Sequence, residues 1–307
     1  MKILALLVFC LSFGLAPMPV APPSDACKRL SPYAQRTGFD ISKSGFSTSE
    51  RRLKGLVLVE FAADQNPAHN KNHQHPSWTK AGAMGPIAID EDGAVFVAPV
   101  PMINVLDNPP ALQNKLYRVS PLSGEMSVFV NLPAFEVPNG KPATEKNPFG
   151  LLGLVYDCES KILYASSVAH STAEQEVGRV FAIEKNSANV LDKLEGLDIM
   201  GICPSDVTGQ KRLYLGKCRT SDVFSVGLLP DGRLNKNDLR KELSIEGLGE
   251  RGDDRVRKIR FNERGDMVLK GIEFFYNLIA PTEKQETTYN FRYDATARQW
   301  RFVSYGG

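Results

Sequence analysis

Gly85-PIAIDEDGAVFV-Ala98 decides the fold, because its pattern returns in Gly150-LLGLVYDCESKILYAS-Ser167, Ile199-MGICPSDVTGQKRLYL-Gly216 and Val256-RKIRFNERGDMVLK-Gly271. Each copy is a short apolar run, a tight turn and a second apolar run. Third runs follow at 115–120, 178–184, 221–228 and 287–294, and fainter fourth runs at 125–132, 189–197, 233–243 and 299–304. The third runs alternate in polarity, as half-buried strands do, and the first runs are almost wholly apolar, as strands covered on both faces are. Asp92-Gly93, Ser123-Gly124, Asp231-Gly232 and Arg264-Gly265 supply turn chemistry between runs.

The first runs start about 57 residues apart on average, a period that predicts a β-propeller of four-stranded antiparallel blades. A β-sandwich is the competing architecture, and the regular spacing argues against it. Residues 27–84 have the length of one more blade but hold one clear strand, Lys54–Ala63, so repeat counting gives five blades. In a closed ring Leu56–Phe61 could complete the last blade. Gln65–Lys80 and Pro133–Pro148 read as loops by composition.

The 307 residues are 42% hydrophobic with a formal net charge of +2, which suits a globular chain and gives no nucleic-acid footprint. The basic run 251–260 is broken by Asp253 and Asp254 and reads as a solvated strand edge. Met1-Lys2 followed by apolar residues 3–16 reads as a signal peptide over 1–26, leaving one propeller domain over 27–307, secreted or periplasmic. Lipidation of Cys27 is disfavoured because Pro-Ser-Asp-Ala precedes it. No later run is long enough for a transmembrane helix, and a monomer is expected. No Asn-x-Ser/Thr sequon occurs.

With Cys10 removed, Cys27, Cys158, Cys203 and Cys218 remain and permit two disulfides in three connectivities. A turn near Thr208-Gly209 sets Cys203 opposite Tyr214. Cys218 then lies about 13 Å further along the strand, beyond disulfide reach. Buried thiols are the alternative.

Propeller topology puts the second-to-third connections and the residues before each first strand on one face. The long connections Pro99–Asn114, Ser167–Val177 and Tyr276–Glu286 mark that face for a small-molecule ligand or a protein partner. Asn147, Asp198 and Asp254 stand just before three first strands and could converge on Ca²⁺. The plainer reading makes them turn formers. Ala83-Met84 breaks the pattern in the first visible blade. His170, in a long loop, is the general-base candidate. His69, His73 and His75 have spacings compatible with a metal but sit in a polar stretch. Asp90-Glu91-Asp92 reads as a solvated hairpin tip, and Arg251-Gly252-Asp253 as a chance tripeptide.

Gly85-PIAIDEDGAVFVA, Asn147-PFGLLGLVYDCESKILYAS and Gly201-ICPSDVTGQKRLYLGK resemble the blade-opening hairpins of the senescence marker protein-30/gluconolactonase and strictosidine-synthase-like propellers. Asp198-IMGICPSDV and Gly265-DMVLKGIEFFYNLIAP are more distantly similar to the yellow/major royal jelly proteins. The first resemblance implies six blades and a divalent metal held by Glu, Asn and Asp, with Asn147, Asp198 and Asp254 at comparable positions. It also implies a metal-dependent lactone or ester hydrolase. The Glu-Gly-Pro that opens such a site reads Met84-Gly85-Pro86 here, which favours non-catalytic binding over hydrolysis.

Overall fold

The computed structural model describes residues 29–50, 52–102, 106–133, 147–278 and 285–307. The 1–26 leader, Cys10, Cys27 and most of Pro133–Pro148 lie outside the described residues. Among the described residues no helix is long and apolar enough to cross a membrane.

Five antiparallel sheets follow one another along the chain. Sheet 1 holds β1 (Ser44–Ser47), β2 (Val57–Glu60) and β3 (Lys71–His73), preceded by helix α1 (Pro32–Arg36). Sheet 2 is β4 (Met84–Ile89), β5 (Val95–Pro99), β6 (Lys115–Val119) and β7 (Met126–Asn131). Sheet 3 is β8 (Leu151–Asp157), β9 (Ile162–Ser167), β10 (Arg179–Glu184) and β11 (Val190–Glu195). Sheet 4 is β12 (Ile199–Ser205), β13 (Arg212–Lys217), β14 (Asp222–Leu228) and β15 (Leu234–Ser244). Sheet 5 is β16 (Arg255–Phe261), β17 (Met267–Ile272), β18 (Thr287–Asp294) and β19 (Gln299–Gly306). Each is a meander in chain order, so the molecule is an all-β propeller of five blades. The six-blade expectation is not met.

Sheet 1 also corrects the reading of its own strand. β2 pairs with β1 and β3, while sheet 5 supplies all four of its own strands. The polar stretch after β2 is not a bare loop. Trp78 is fully buried and donates through Nε1 to the Gly124 carbonyl at 2.7 Å. Tyr33 lies against Gly124, where a Cβ would fall 2.4 Å from the ring. Gly93, at φ +82°, lets the first turn of sheet 2 close under Ser31. These contacts dock sheet 1 on sheet 2; burying a large side chain such as Trp78 is worth about 3 kcal/mol.

Apolar clusters join successive sheets. Leu56, Leu58 and Trp78 pack on Val95, Val97 and Val119 between sheets 1 and 2. Phe96 and Leu116 meet Leu163 and Phe181 between sheets 2 and 3. Tyr164 and Val180 meet Leu213 and Leu215 between sheets 3 and 4. Cys203 and Tyr214 meet Val256, Ile259 and Leu269 between sheets 4 and 5. Among the described residues no such cluster joins sheet 5 to sheet 1. A fifth cluster, with Phe149, Met200, Cys218 and Ile272, sits where the long loops of sheets 3 and 5 meet.

The turn at Asp90–Asp92 is not simply solvated. Asp90 is fully buried, and its Oδ1 accepts from the Asp92 and Ala94 amides at 3.0 and 2.9 Å. Lys185, from the β10–β11 turn of sheet 3, reaches Asp92 and Glu91 at 2.8 Å each and Asp90 at 3.3 Å. The acidic tip therefore clamps sheet 2 to sheet 3.

Candidate functional site

The residues before the inner strands do a common job. Asn147 donates from Nδ2 to the Val168 carbonyl at 2.7 Å and accepts the Phe149 amide at 2.9 Å. That ties the start of β8 to the loop leaving β9. Asp198 accepts from Ser171 Oγ at 2.5 Å and from the Gly178 amide at 2.8 Å through Oδ1. Its Oδ2 accepts from Tyr276 Oη at 2.5 Å. Asp254 is gripped by Arg251 at 2.6 and 3.0 Å and by Tyr289 Oη at 2.8 Å. In sheet 2, where the sequence has Ala83, Asn108 comes from the loop instead. It accepts the Ala83 amide at 3.2 Å and donates to the Ala83 carbonyl at 2.9 Å.

Among the described residues the three predicted ligands thus share no hydrogen-bonded side chain, and Asn147 meets the Asp198 network only through the Val168 carbonyl, which also accepts the Ser171 amide at 3.0 Å. None of the side chains bonded to one of them bonds to another among the described residues. Asp254 already has a guanidinium as its counter-charge, and each oxygen of Asp198 already accepts a proton donor. A calcium ion shared by Asn147, Asp198 and Asp254 does not fit side chains bonded in this way, since it would have to displace these partners.

Asp198 is nevertheless the hub of the long-loop face. It stands at the start of β12 in sheet 4, and it joins the loop of sheet 3 through Ser171 to that of sheet 5 through Tyr276. Glu176 accepts its amide at 2.9 Å, and Arg219 Nη1 lies 3.7 Å from Oδ2. Burial raises its pKa, the Glu176 charge adds to this, and Ser171, Tyr276 and the Gly178 amide oppose it. Burial also raises the Tyr276 hydroxyl, and the Asp198 carboxylate raises it further. Arg219 braces the sheet 3 loop by donating to the Thr172 and Ala173 carbonyls at 2.6 and 2.5 Å. Lys217 pairs with Glu176 at 3.2 Å.

His170 is in that same loop with φ +70°, a left-handed backbone that non-glycine residues adopt rarely. Burial, and then the Arg179 guanidinium, hold its imidazole below the usual histidine range, so it is neutral near pH 7. The remaining histidines are placed structurally. His73 bonds Tyr33 Oη at 2.9 Å, His75 caps a short helical turn through Ser77, and His69 faces Asp64. Among the described residues no cluster of three His, Cys, Asp or Glu could hold a metal.

Cys203 pairs across the hairpin with Tyr214, the register read from the sequence. Cys203 and Cys218 are buried thiols, and Cys158 is disulfide-bonded. Burial, and then the Asp198 and Glu176 charges, raise the Cys218 thiol well above its ordinary value. Both thiols should resist iodoacetamide in the native protein and react in denaturant, as counted by intact mass. Native labelling of Cys218 at the rate of an exposed thiol would show that the hub opens.

Opposite this face, a recess of about 260 Å³ lies between sheets 3 and 4. Its charges are internally matched, with Lys211 paired to Asp157 at 2.8 Å and Glu159 at 2.5 Å.

Sequence reasoning found Asp198 but missed Ser171, Glu176, Arg219 and Tyr276. Their only linear signal is position in or beside long second-to-third connections.

No protein-family model matches the chain and no curated protein matches it in sequence. Solved structures match it in fold. The chain is similar to regucalcin, a calcium-binding protein from Agrobacterium tumefaciens, with TM-score 0.51 and 13% identity over 94% of this chain and 78% of that one. It is similar to a Lactobacillus plantarum protein with TM-score 0.50 and 11% identity over 86% of this chain, and it spans 65% of that protein's length. A periplasmic gluconolactonase from Pseudomonas aeruginosa aligns at TM-score 0.45 and 12% identity, over 86% of this chain and 82% of that one. The likeness to regucalcin agrees with the propeller fold read from the blade hairpins.

Proposed function

We propose that the long-loop face takes a small-molecule ligand and that the chemistry there is hydrolysis of a lactone or ester. The observation that carries this is Asp198, a fully buried carboxyl with a raised pKa, set among Ser171, Tyr276, Arg219 and Glu176 where two loops meet. Perturbed carboxyl groups gather where proton transfer is done. His170, kept neutral in the same loop, is the second proton acceptor. Arg219 and Lys217 supply positive charge against which an oxyanion can develop. The likeness to regucalcin, a calcium-binding protein, supports the propeller scaffold, and hydrolysis is what the resemblance of the blade hairpins to gluconolactonase-type propellers implies.

No step is routed through calcium, for the donor oxygens are committed elsewhere. EDTA followed by millimolar Ca²⁺ should leave the thermal midpoint unchanged; a rise on Ca²⁺ would restore the metal-dependent form of the reading. The direct test is a panel of sugar lactones, aliphatic lactones and aryl esters. Loss of the general base in His170→Gln, or of the carboxyl in Asp198→Asn, should lower kcat/KM by about 100-fold or more.

Binding without turnover is the second reading. Two observations favour it: Met84 stands where the resemblance calls for a carboxylate, and the Asp198 oxygens are satisfied by the chain itself. A panel compound that raises the melting point without being consumed would decide for binding.

A further inference from the structure

The face of sheet 5 turned away from sheet 4 differs from the corresponding faces of its neighbours. Val256, Ile259, Met267 and Leu269 turn toward sheet 4 and join its core. The register shifts between Val256 and Lys258, so alternation counted from Ile259 and Phe261 turns Lys258 and Arg260 of β16 the other way, and alternation from Met267 and Leu269 does the same for Lys270 of β17. Although β16 is an inner strand, Arg257 and Lys258 are 44% and 50% exposed and Arg260 is exposed too.

The charges on this face are poorly matched. Lys258 and Lys270 are direct cross-strand partners, and like charges directly opposite destabilise a sheet. Glu286 is 3.5 Å from Lys258 but is already engaged by Arg257 at 2.9 Å. Lys270 donates to the Thr288 hydroxyl at 2.6 Å and makes no ion pair among the described residues. The same holds for Arg260. Arg292, further out on the sheet, is by contrast matched to Asp266 at 2.9 Å. The mismatch is thus confined to the inner strands, next to the molecular axis.

We propose that Lys258, Arg260 and Lys270 form a binding site for a dianionic oxygen group, such as a phosphate monoester or a small polycarboxylate. Thr288, beside Lys270, adds a hydroxyl to the same patch. A dianion there would supply the counter-charge that one carboxylate shared with Arg257 does not. Burial and then the Arg257 charge depress the Lys258 ammonium, with Glu286 opposing them and Arg260 adding to them. This site is separate from the Asp198 hub, and either can fail without the other.

The test is the thermal midpoint of the full chain in low-millimolar phosphate, and separately citrate, against chloride at equal ionic strength. Low concentrations avoid the general stabilisation that excluded salts give. The wild type should gain about 2 °C or more. Lys258→Gln/Lys270→Gln should lose that response, and should melt no lower than wild type without ligand because a repulsion has been removed. Lys193→Gln/Lys236→Gln, on other sheets, should keep the response. Phosphate and citrate acting alike identifies dianion charge as the recognised feature; phosphate alone narrows the class to phosphates. No gain in wild type, or an equal gain in the Lys258/Lys270 variant, overturns the proposal.

Discussion

Lys185→Met should cost about 3–5 kcal/mol of stability, read as a shift in the urea midpoint at unchanged slope. The lysine ammonium is the shared cation for Asp90, Glu91 and Asp92, and Asp90 has no exposed surface. Removing the cation leaves a buried carboxylate without its counter-charge, and the methionine stem cannot replace it. Asp92→Asn removes a partner that is 64% exposed and should cost under about 1 kcal/mol. Burial pushes Glu91 up, but the hydrogen bond and charge of Lys185 outweigh it and hold the carboxyl below its usual value. A depressed carboxyl stabilises above its unfolded pKa, so this contribution should fade as pH drops from about 4.3 through the lowered value. In Lys185→Met that acid-side loss should shrink. A methionine variant as stable as wild type would mean that the clamp is cosmetic.

Asp198→Ala should be comparably damaging, at about 3–5 kcal/mol, because it strands the Ser171 hydroxyl, the Gly178 amide and the Tyr276 hydroxyl together. Asp198→Asn keeps the shape and an acceptor oxygen and should cost under about 1.5 kcal/mol, which makes it the usable variant for activity work. The pH signs differ from those of Glu91. A carboxyl whose folded pKa is raised favours the native state most below its unfolded value, and that advantage is lost as pH climbs through the folded value. Wild type should therefore lose stability across that interval relative to Asp198→Asn, which does not titrate there. Parallel curves of stability against pH for the two proteins would contradict a raised Asp198.

The repeat was legible because each inner hairpin carries its own turn and its own apolar run. The same logic set Cys203 opposite Tyr214 and located the long loops. Sheet 1 was obscure for a physical reason. β1 and β3 are four and three residues long and carry few apolar side chains, and their burial comes from Trp78 and Tyr33 outside the strands. Asp198 and Asp254 stood out in the sequence, yet their meaning depended on Tyr276 and Arg251. Arg251 is only three residues from Asp254, but a contact with Tyr276, 78 residues from Asp198, leaves no local trace. The Lys185 clamp was hidden likewise, since its halves are more than 90 residues apart.

The basic face of sheet 5 also bears on how molecules of this protein meet one another. Arrays of stacked sheets grow wherever the terminal unit leaves a greasy surface, and natural arrays stop themselves with a polar last unit. Lysines and arginines across β16 and β17 make that face costly to cover with the blade of another copy, because their charged heads would have to leave water.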